Sequence, residues 1–500
     1  MVKNPKNLIF TTISLDSSSR TPLHLQLYRE FRTAIISGRL RANTRLPSTR
    51  ALAEDFGVCR NTVIYAFDQL VAEGYLEGRP GSGTYVTGAL PDEMLWLTAK
   101  PPASMRATGR ARLLSNRGRK MAGIAPFFPP VKAKPFRHGL PALDAFPLEL
   151  WTRLAAKRLR HFPRELLGYG DPIGYRPLRE AIVEYLGTSR AVHCEPEQVI
   201  VVAGSQQAIY LTAQILLDAG DPAWIEDPGY LGARGALVAA QARLVPVPVD
   251  EQGLNVAKGI KLNAAARLIY VTPSNQYPST VTMSLSRRLE LLEWAARSDA
   301  WIVEDDYDSE FRYKKRPVAA LQGLDKYNRV IYLGTFSKLL APTLRLGYLV
   351  VPPELVDAFS ATSALISRHP PSIEQAVLAD FVDQGHLGRH IRRMRTLYME
   401  RQEEFVEAAS RDLAGILEIN PPEAGTHLIG WLPESLDDKS VAQAAAECGV
   451  ETKPFSTYCL KVKRRGGLVL GYGAFSKNQI RSGMQKLANS LLDCERSLRP

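Results

Sequence analysis

The sequence predicts a multidomain protein. A helix-turn-helix with a two-stranded wing (α+β) occupies residues 20–88, a basic linker residues 89–135, and an α/β domain residues 136–495. Three observations predict this. The chain has 500 residues, too many for one compact domain. From about Phe136 onward, short apolar strands alternate with amphipathic helices, a pattern that builds a largely parallel sheet. The net charge of +12 is also unevenly spread. Residues 1–135 carry 20 Lys/Arg against 9 Asp/Glu, and the other 365 carry 43 against 42. A basic N-terminal part suits a polyanionic partner, or else a solvated basic surface.

Ser48 is placed to cap a helix through Ala51-Leu-Ala-Glu-Asp-Phe56, and Gly57 to end it where positive φ is cheap. A second helix is expected from about Arg60 to Glu73, stopped by Gly74. Its Val63, Phe67 and Leu70 fall on one buried stripe, which turns Arg60, Asn61 and Ile64 toward solvent or a groove. Two helices joined by so short a turn form the layout whose second helix enters the DNA major groove. Tyr75–Val86, with Arg79-Pro-Gly81-Ser-Gly83 at its tip, reads as the wing. Its glycines permit close approach to the sugar-phosphate chain, and Arg79 can neutralise a phosphate.

Residues 89–135 mix prolines with Arg106, Arg110, Arg112, Arg117, Arg119 and Lys120, and read as a long linker. Beyond them, strands are expected at Val199–Ala203, Ala223–Glu226, Arg267–Thr272, Trp301–Glu304 and Val330–Leu333. Five scattered cysteines without Cys-x-x-Cys spacing read as reduced thiols in a cytoplasmic protein. No apolar run is long enough for a bilayer, and the N-terminus does not read as a signal peptide.

The N-terminal stretch resembles the winged helix of GntR-type bacterial regulators. The matching runs are Pro22-Leu-His-Leu-Gln-Leu-Tyr28, Leu46-Pro-Ser-x-Arg50-x-Leu-Ala, Val58-x-Arg60-x-Thr-Val and Arg79-x-Gly-x-Gly-Thr-Tyr. The resemblance implies an operator in double-stranded DNA, met by Arg50, Cys59, Arg60, Asn61, Thr62 and the wing residues Arg79, Gly81 and Gly83. Arg60 is the first choice for a base contact, because a bidentate Arg–guanine pair discriminates by about 1–3 kcal/mol. The family commonly has Ser or Thr where this chain has Cys59. Arg50 could instead simply pair with Glu54 one turn on.

The second domain contains parts that suit an aldehyde cofactor carrying a phosphate. Lys338 follows the strand Val330–Leu333 among the hydroxyls of Thr335 and Ser337, with the guanidinium of Arg345 seven residues on. Val199–Ala203 runs into Gly204-Ser-Gln-Gln207 at a helix start, a natural anion site. Glu304-Asp-Asp-Tyr307 closes an apolar strand, where buried carboxylates need a cation or donors. One of them could meet a pyridine nitrogen; otherwise they mark a metal site or an exposed strand end, though with no histidine near zinc is not expected, and no metal ligand is assigned. Taken alone, Lys338 reads more readily as a surface lysine than as a Schiff-base lysine.

Over residues 136–490 the chain resembles fold-type I pyridoxal phosphate (PLP) aminotransferases, and within them the MocR/GabR group of regulators. The signposts are Gly168-Tyr-Gly-Asp-Pro-Ile-Gly174, Gly204-Ser-Gln-Gln-Ala208, Glu226-Asp-Pro-Gly-Tyr230, Thr272-Pro-Ser, Glu304-Asp-Asp-Tyr-Asp-Ser-Glu-Phe311 and Gly334-Thr-Phe-Ser-Lys338. The resemblance implies PLP as cofactor and a smaller C-terminal α/β subdomain at about 385–495. It makes Lys338 the internal-aldimine lysine, Asp305 the partner of the pyridine nitrogen, Tyr307 a donor to the phenolate oxygen and Tyr230 the stacking ring. Ser205, Gln206, Thr335, Ser337 and Arg345 would surround the phosphate, with Asn275 also at the cofactor and Tyr169 reaching in from a second subunit of a homodimer.

Three departures stand out. Asn275 replaces a common His; Gly232 stands where some relatives place an arginine; and Val469 occupies the position of the usual substrate-carboxylate arginine, with Arg464 and Arg465 nearby. The cofactor machinery is complete while the carboxylate clamp is not. The expected function is therefore a PLP-binding transcriptional regulator sensing PLP or an amine or amino-acid effector, without physiological turnover. The alternatives are an active aminotransferase carrying a DNA-binding head and a regulator whose PLP site is vestigial.

Overall fold

The computed structural model describes residues 15–19, 21–88, 114–122, 133–161, 163–313 and 318–497. Most of the predicted linker, residues 89–113 and 123–132, lies outside the described residues. The chain divides into two compact units, Met1–Leu113 and Leu114–Pro500.

The first unit packs helices Leu23–Ile36, Thr49–Phe56 and Arg60–Ala72 with a two-stranded antiparallel sheet, β1 (Leu76–Arg79) and β2 (Gly83–Val86). Val63, Phe67 and Leu70 are buried together, as their spacing requires, around Leu27, Phe31 and Leu52. Phe31 meets Phe56 and Phe67 edge-on at 6.4 and 5.3 Å, a favourable arrangement for aromatic quadrupoles. The wing gains a further edge that the sequence reading missed. Leu46 N–H donates to Thr84 O at 2.8 Å, and Val86 N–H donates to Thr44 O at 2.9 Å.

The second unit is built on an eight-stranded sheet. Its strands are β3 (Val199–Val202), β4 (Pro222–Asp227), β5 (Arg243–Asp250), β6 (Gly253–Leu254), β7 (Leu268–Val271), β8 (Trp301–Asp306), β9 (Val330–Thr335) and β10 (Gly347–Val350), in the order β3-β10-β9-β8-β7-β4-β5-β6. Strands β9, β8, β7, β4 and β5 run parallel, while β10 lies antiparallel between β3 and β9. Helices cover both faces, so strands such as Val199–Val202 and Leu268–Val271 are continuous apolar runs, wholly buried, rather than alternating.

A smaller antiparallel sheet, β11 (Glu418–Ile419), β12 (His427–Trp431), β13 (Lys453–Pro454) and β14 (Gly467–Gly471), is ordered β11-β12-β14-β13. The 27-residue helix His386–Asp412 joins the two bodies. Its Leu387, Ile391, Met394 and Tyr398 pack into the large core, and its Phe405, Ala408 and Ala409 into the small one. The segment before the predicted domain start also belongs here. Phe136 is fully buried against Phe405, its carbonyl accepts from Gly471 N–H at 2.8 Å, and Lys134 reaches Ala446 O. Residues 133–135 are thus part of the second unit, and a short helix, Asn116–Ala122, interrupts what reads in sequence as plain linker.

Candidate functional site

In the first unit, Ser48 Oγ accepts from Ala51 N–H at 3.2 Å, Gly57 takes φ of 64°, and Gly57-Val58-Cys59 forms the turn into Arg60–Ala72. Arg50, Cys59, Arg60 and Asn61 are exposed along this edge, and Thr62 is half-buried. Cys59 is the N-cap residue but makes no side-chain cap bond, in keeping with a weak thiol where a hydroxyl is usual. Arg50 does approach Glu54, at 3.7 Å, but both side chains are more than 70% exposed. Such a pair is worth little and leaves Arg50 available to a stronger anion. Arg79 differs from expectation. It donates to Glu77 at 2.8 Å and to Asn43 at 3.3 Å and lies over the Tyr85 ring, so a carboxylate of its own wing already neutralises it. Gly81 and Gly83, at φ of 72° and 115°, shape the wing tip, and a Cβ on Gly83 would come within 3.2 Å of Arg45. The exposed Arg45 is the cation that sequence reasoning missed there.

In the second unit, the carboxyl ends of the parallel strands converge on one cavity of about 350 Å³. Lys338 sits in the short helix after β9, capped by Thr335 Oγ1, which accepts from Ser337 N–H. Its amine is buried and donates to Gly139 O at 2.5 Å. Burial lowers its proton affinity, while Asp308 and Asp305 pull the other way; the net direction is down, toward a nucleophilic neutral amine.

The three carboxylates of β8 lie inside the strand, not at its exposed end, and alternate between faces. Glu304 accepts from the main-chain N–H groups of Leu321 and Gln322 at 2.7 and 2.9 Å. Asp306 pairs with the buried Arg190 at 2.7 Å and accepts from Tyr332. Asp305, between them, faces the cavity. Its Oδ2 accepts from Tyr270 at 2.5 Å, and burial raises its pKa to about 7 against that bond.

The anion end is assembled from the start of helix Ser205–Leu216, Ser205, Gln206, Thr335, Ser337 and Arg345. Gly204, at φ of 97°, lets Arg345 approach, since a Cβ there would lie 3.3 Å from the guanidinium. Arg345 also donates to Ala203 O. Tyr230 forms one wall. Gly232 has a local reason: a Cβ there would come within 2.4 Å of both the Tyr230 ring and Gln206 Oε1.

Two predicted cofactor residues are not in this cavity. Asn275 is buried and donates to both oxygens of Asp308 at 3.0 Å, turned away from the lining. Tyr277 takes the place in its stead. The buried Glu226 ties down this loop, accepting from Thr272 Oγ1 at 2.7 Å and Gln276 at 3.2 Å. Tyr169 is 81% exposed, beside His369 and Arg368, and does not reach the cavity of its own chain. The lining also includes Tyr270, Thr272, His138, Gly139, Thr426 and His427, none given a site role from sequence. Their signals were faint: a lone glycine before Leu-Pro, and a histidine opening an apolar strand.

Residues 144–466 match the family model "Aminotransferase class I and II", and residues 23–86 match "Bacterial regulatory proteins, gntR family". The chain is 44% identical over 489 residues to "Probable rhizopine catabolism regulatory protein MocR" of Rhizobium meliloti, covering 97% of this chain and 96% of that one. The chain belongs to the MocR-type regulators. It is also 34% identical to the HTH-type transcriptional regulator TauR of Rhodobacter capsulatus, covering 91% of this chain and 94% of that one. Among solved structures, a Pyrococcus horikoshii kynurenine aminotransferase in complex with PMP aligns with a TM-score of 0.68 and 28% identity. It covers 74% of this chain and 93% of that one.

The aminotransferase fold of this MocR-type chain implies a PLP site, and the cavity fits the group. Asp305 Oδ1, Tyr307 Oη and Gln206 Oε1 all line it, all are buried, and none has a hydrogen-bond partner. A buried unsatisfied polar atom costs about 1–3 kcal/mol, so three around one cavity point to a polar occupant. Val469 is fully buried against Ile429, Phe455 and Tyr458. Arg464 is tied to Val249 O, and Arg465 to Leu432 O and Glu418. Among the described residues, no helix is long and apolar enough to cross a membrane, and no His/Cys/Asp/Glu group could hold a metal.

Proposed function

We propose that this protein is a DNA-binding transcriptional regulator that binds PLP and senses PLP itself, or an amine or amino-acid effector, to alter operator binding. The observation that carries the reading is the orphaned trio Asp305 Oδ1, Tyr307 Oη and Gln206 Oε1, gathered with Lys338 and the Arg345 cradle in one cavity. Bound there, PLP would supply an aldehyde carbon that exchanges between a lysine amine and another primary amine.

Each residue has a defined part. Lys338, drawn toward its neutral form by burial, would hold the cofactor and release it to an incoming amine. Asp305, fixed by Tyr270, would keep a proton at the pyridine nitrogen. Tyr307 would donate to the phenolate oxygen, and Tyr230 would face the ring. Ser205, Gln206, Thr335, Ser337 and Arg345 would hold the phosphate against a helix start. A homodimer is part of the reading, since paired DNA half-sites need two heads. Tyr169, 81% exposed near Leu167 at 76%, is suited to serve the cavity of a second subunit. In the first unit, Arg60 and Asn61 would read bases, while Arg50, Thr62 and the wing glycines would meet the backbone.

Two measurements test this. Lys338→Ala incubated with PLP should lose the visible absorbance band of wild type yet remain a folded dimer; an unchanged spectrum removes the lysine's role. DNA selected from a random pool, with and without PLP at one fixed salt concentration, should differ in sequence or affinity. Identical selections would end the sensor reading. Sustained turnover of an amino donor and a keto-acid acceptor, at about 1 per second or faster, would make the protein an enzyme instead.

A further inference from the structure

One buried titratable group beside the lysine has no part in the cofactor reading. His390 lies on the helix His386–Asp412 and is 6% exposed. Its Nε2 lies 2.9 Å from the carbonyl oxygen of Leu339, the residue after Lys338. A carbonyl only accepts, so Nε2 carries the proton and Nδ1 keeps its lone pair. That lone pair is buried and has no hydrogen-bond partner among the described residues. Burial pushes the ring down to about 4 against the Leu339 bond, so it is neutral at physiological pH. An apolar side chain of similar size would bury no unsatisfied nitrogen. The histidine carries that cost with the one bond that it makes.

The bond falls at a weak point of the chain. Lys338 sits in a helix of four residues, Phe336–Leu339, and the last carbonyls of a helix find no partner inside it. The start of this turn is held twice. Thr335 Oγ1 accepts from Ser337 N–H at 3.2 Å, and Leu346 O accepts from Phe336 N–H at 3.1 Å. At its end Leu340 N–H donates to Phe336 O at 2.8 Å, and His390 supplies the donor for Leu339 O. Beyond Leu340 the chain passes through Pro342–Leu344 to Arg345, which takes a positive φ of 51°. Lys338 and Arg345 both line the cavity, so His390 grips the link between them. Leu339 and Leu340 are buried in one cluster with Leu387, Ile391 and Met394, which flank His390 on its helix. Apolar packing brings the two elements together but is non-directional. The hydrogen bond adds the direction, and with it the aim of the lysine.

We infer that His390 is a positioning residue for this site: its Nε2–H, carried on the long helix, fixes the exit of the Lys338 turn and so places the lysine amine relative to Arg345. The inference rests on the proposed PLP reading and concerns how that site is held in shape. It is tested on the full-length protein with His390→Leu, which removes the donor, and His390→Gln, whose amide nitrogen can reach the same carbonyl. Ile391→Val, a packing change one residue along, is the control. In His390→Leu, PLP should half-saturate at a concentration about three- to tenfold higher, the effect of one lost hydrogen bond. At saturation its visible circular dichroism per bound cofactor should fall. In the cofactor-free protein the amides of residues 336–345 should exchange faster with deuterium. His390→Gln should restore all three readings, and Ile391→Val should keep all three at wild-type values while its unfolding midpoint drops. Should His390→Leu fail to fold, His390→Asn, whose amide is too short for the carbonyl, replaces it in the same comparison. Wild-type readings in the variant without the donor, a glutamine that restores nothing, or equal changes in Ile391→Val would overturn the inference. A wild-type protein that shows no visible band once PLP is added would instead overturn the PLP reading itself.

Discussion

Replacing Tyr270 by Phe tests how the acid beneath the cofactor is set. Tyr270 is fully buried, and its hydroxyl donates to Asp305 Oδ2 at 2.5 Å. Burial raises Asp305 to about 7, and the tyrosine bond is the largest influence holding it down. A hydrogen bond to a charged group is worth about 1.5–3 kcal/mol, which makes the carboxylate of the variant hold its proton roughly ten to a hundred times more tightly. Asp305, raised to about 7, titrates near neutral pH in the native protein, and in Tyr270→Phe it stays protonated to higher pH. PLP should therefore bind the variant roughly tenfold more weakly at pH 7, with the gap closing toward pH 9 as Asp305 ionises in both proteins. Stability follows the same sign. The folded state holds this proton more tightly than the unfolded chain, so the contribution is full below about pH 4 and lost as pH rises through 7. In the cofactor-free variant that loss should extend to higher pH. Equilibrium titration with PLP by absorbance, from pH 6.5 to 9, reads the first effect, and thermal unfolding over the same range the second. A variant whose PLP affinity and pH dependence match wild type would refute the role given to Tyr270.

Arg60→Ala should weaken specific operator binding by about 1–3 kcal/mol and relax sequence preference, with PLP uptake unchanged; fluorescence anisotropy at one fixed salt concentration checks it. Phe31→Ala removes a fully buried ring held between Phe56 and Phe67 and should cost the N-terminal unit about 3–5 kcal/mol. DNA binding would then be lost while the visible PLP band persists, measured side by side on one preparation.

Much of this architecture is legible in the sequence because it is local. Ser48 and Gly57 cap a helix through their own backbone conformations, and Val63, Phe67 and Leu70 form a stripe by spacing alone. Five of the eight strands of the large sheet are found within one or two residues, since apolar runs bounded by turns carry that signal without help from distant residues. Lys338, Asp305, Tyr307 and Arg345 are legible through the motifs that hold them. The misplacements are of another kind. Asn275 and Tyr277 are two residues apart in one loop; Asn275 donates to Asp308, and Glu226, some fifty residues earlier, grips the same loop through Thr272 and Gln276.

Sequence by itself determined that a GntR-type helix-turn-helix and an aminotransferase-type domain share this chain, and that Val469 stands where the resemblance expects a carboxylate-binding arginine. Tertiary structure alone decided what surrounds them. Gly139 and His138 come to Lys338 from a segment 199 residues away, carried there because Phe136 is buried in the small subdomain and hydrogen-bonded to Gly471. Thr426 and His427 arrive from the opening of a different sheet. Arg79 is charged in either description, but only the fold shows Glu77 and Asn43 already holding it. Caps and stripes are written in neighbouring residues; cavities and ion pairs are closed by residues that meet only after the chain has packed.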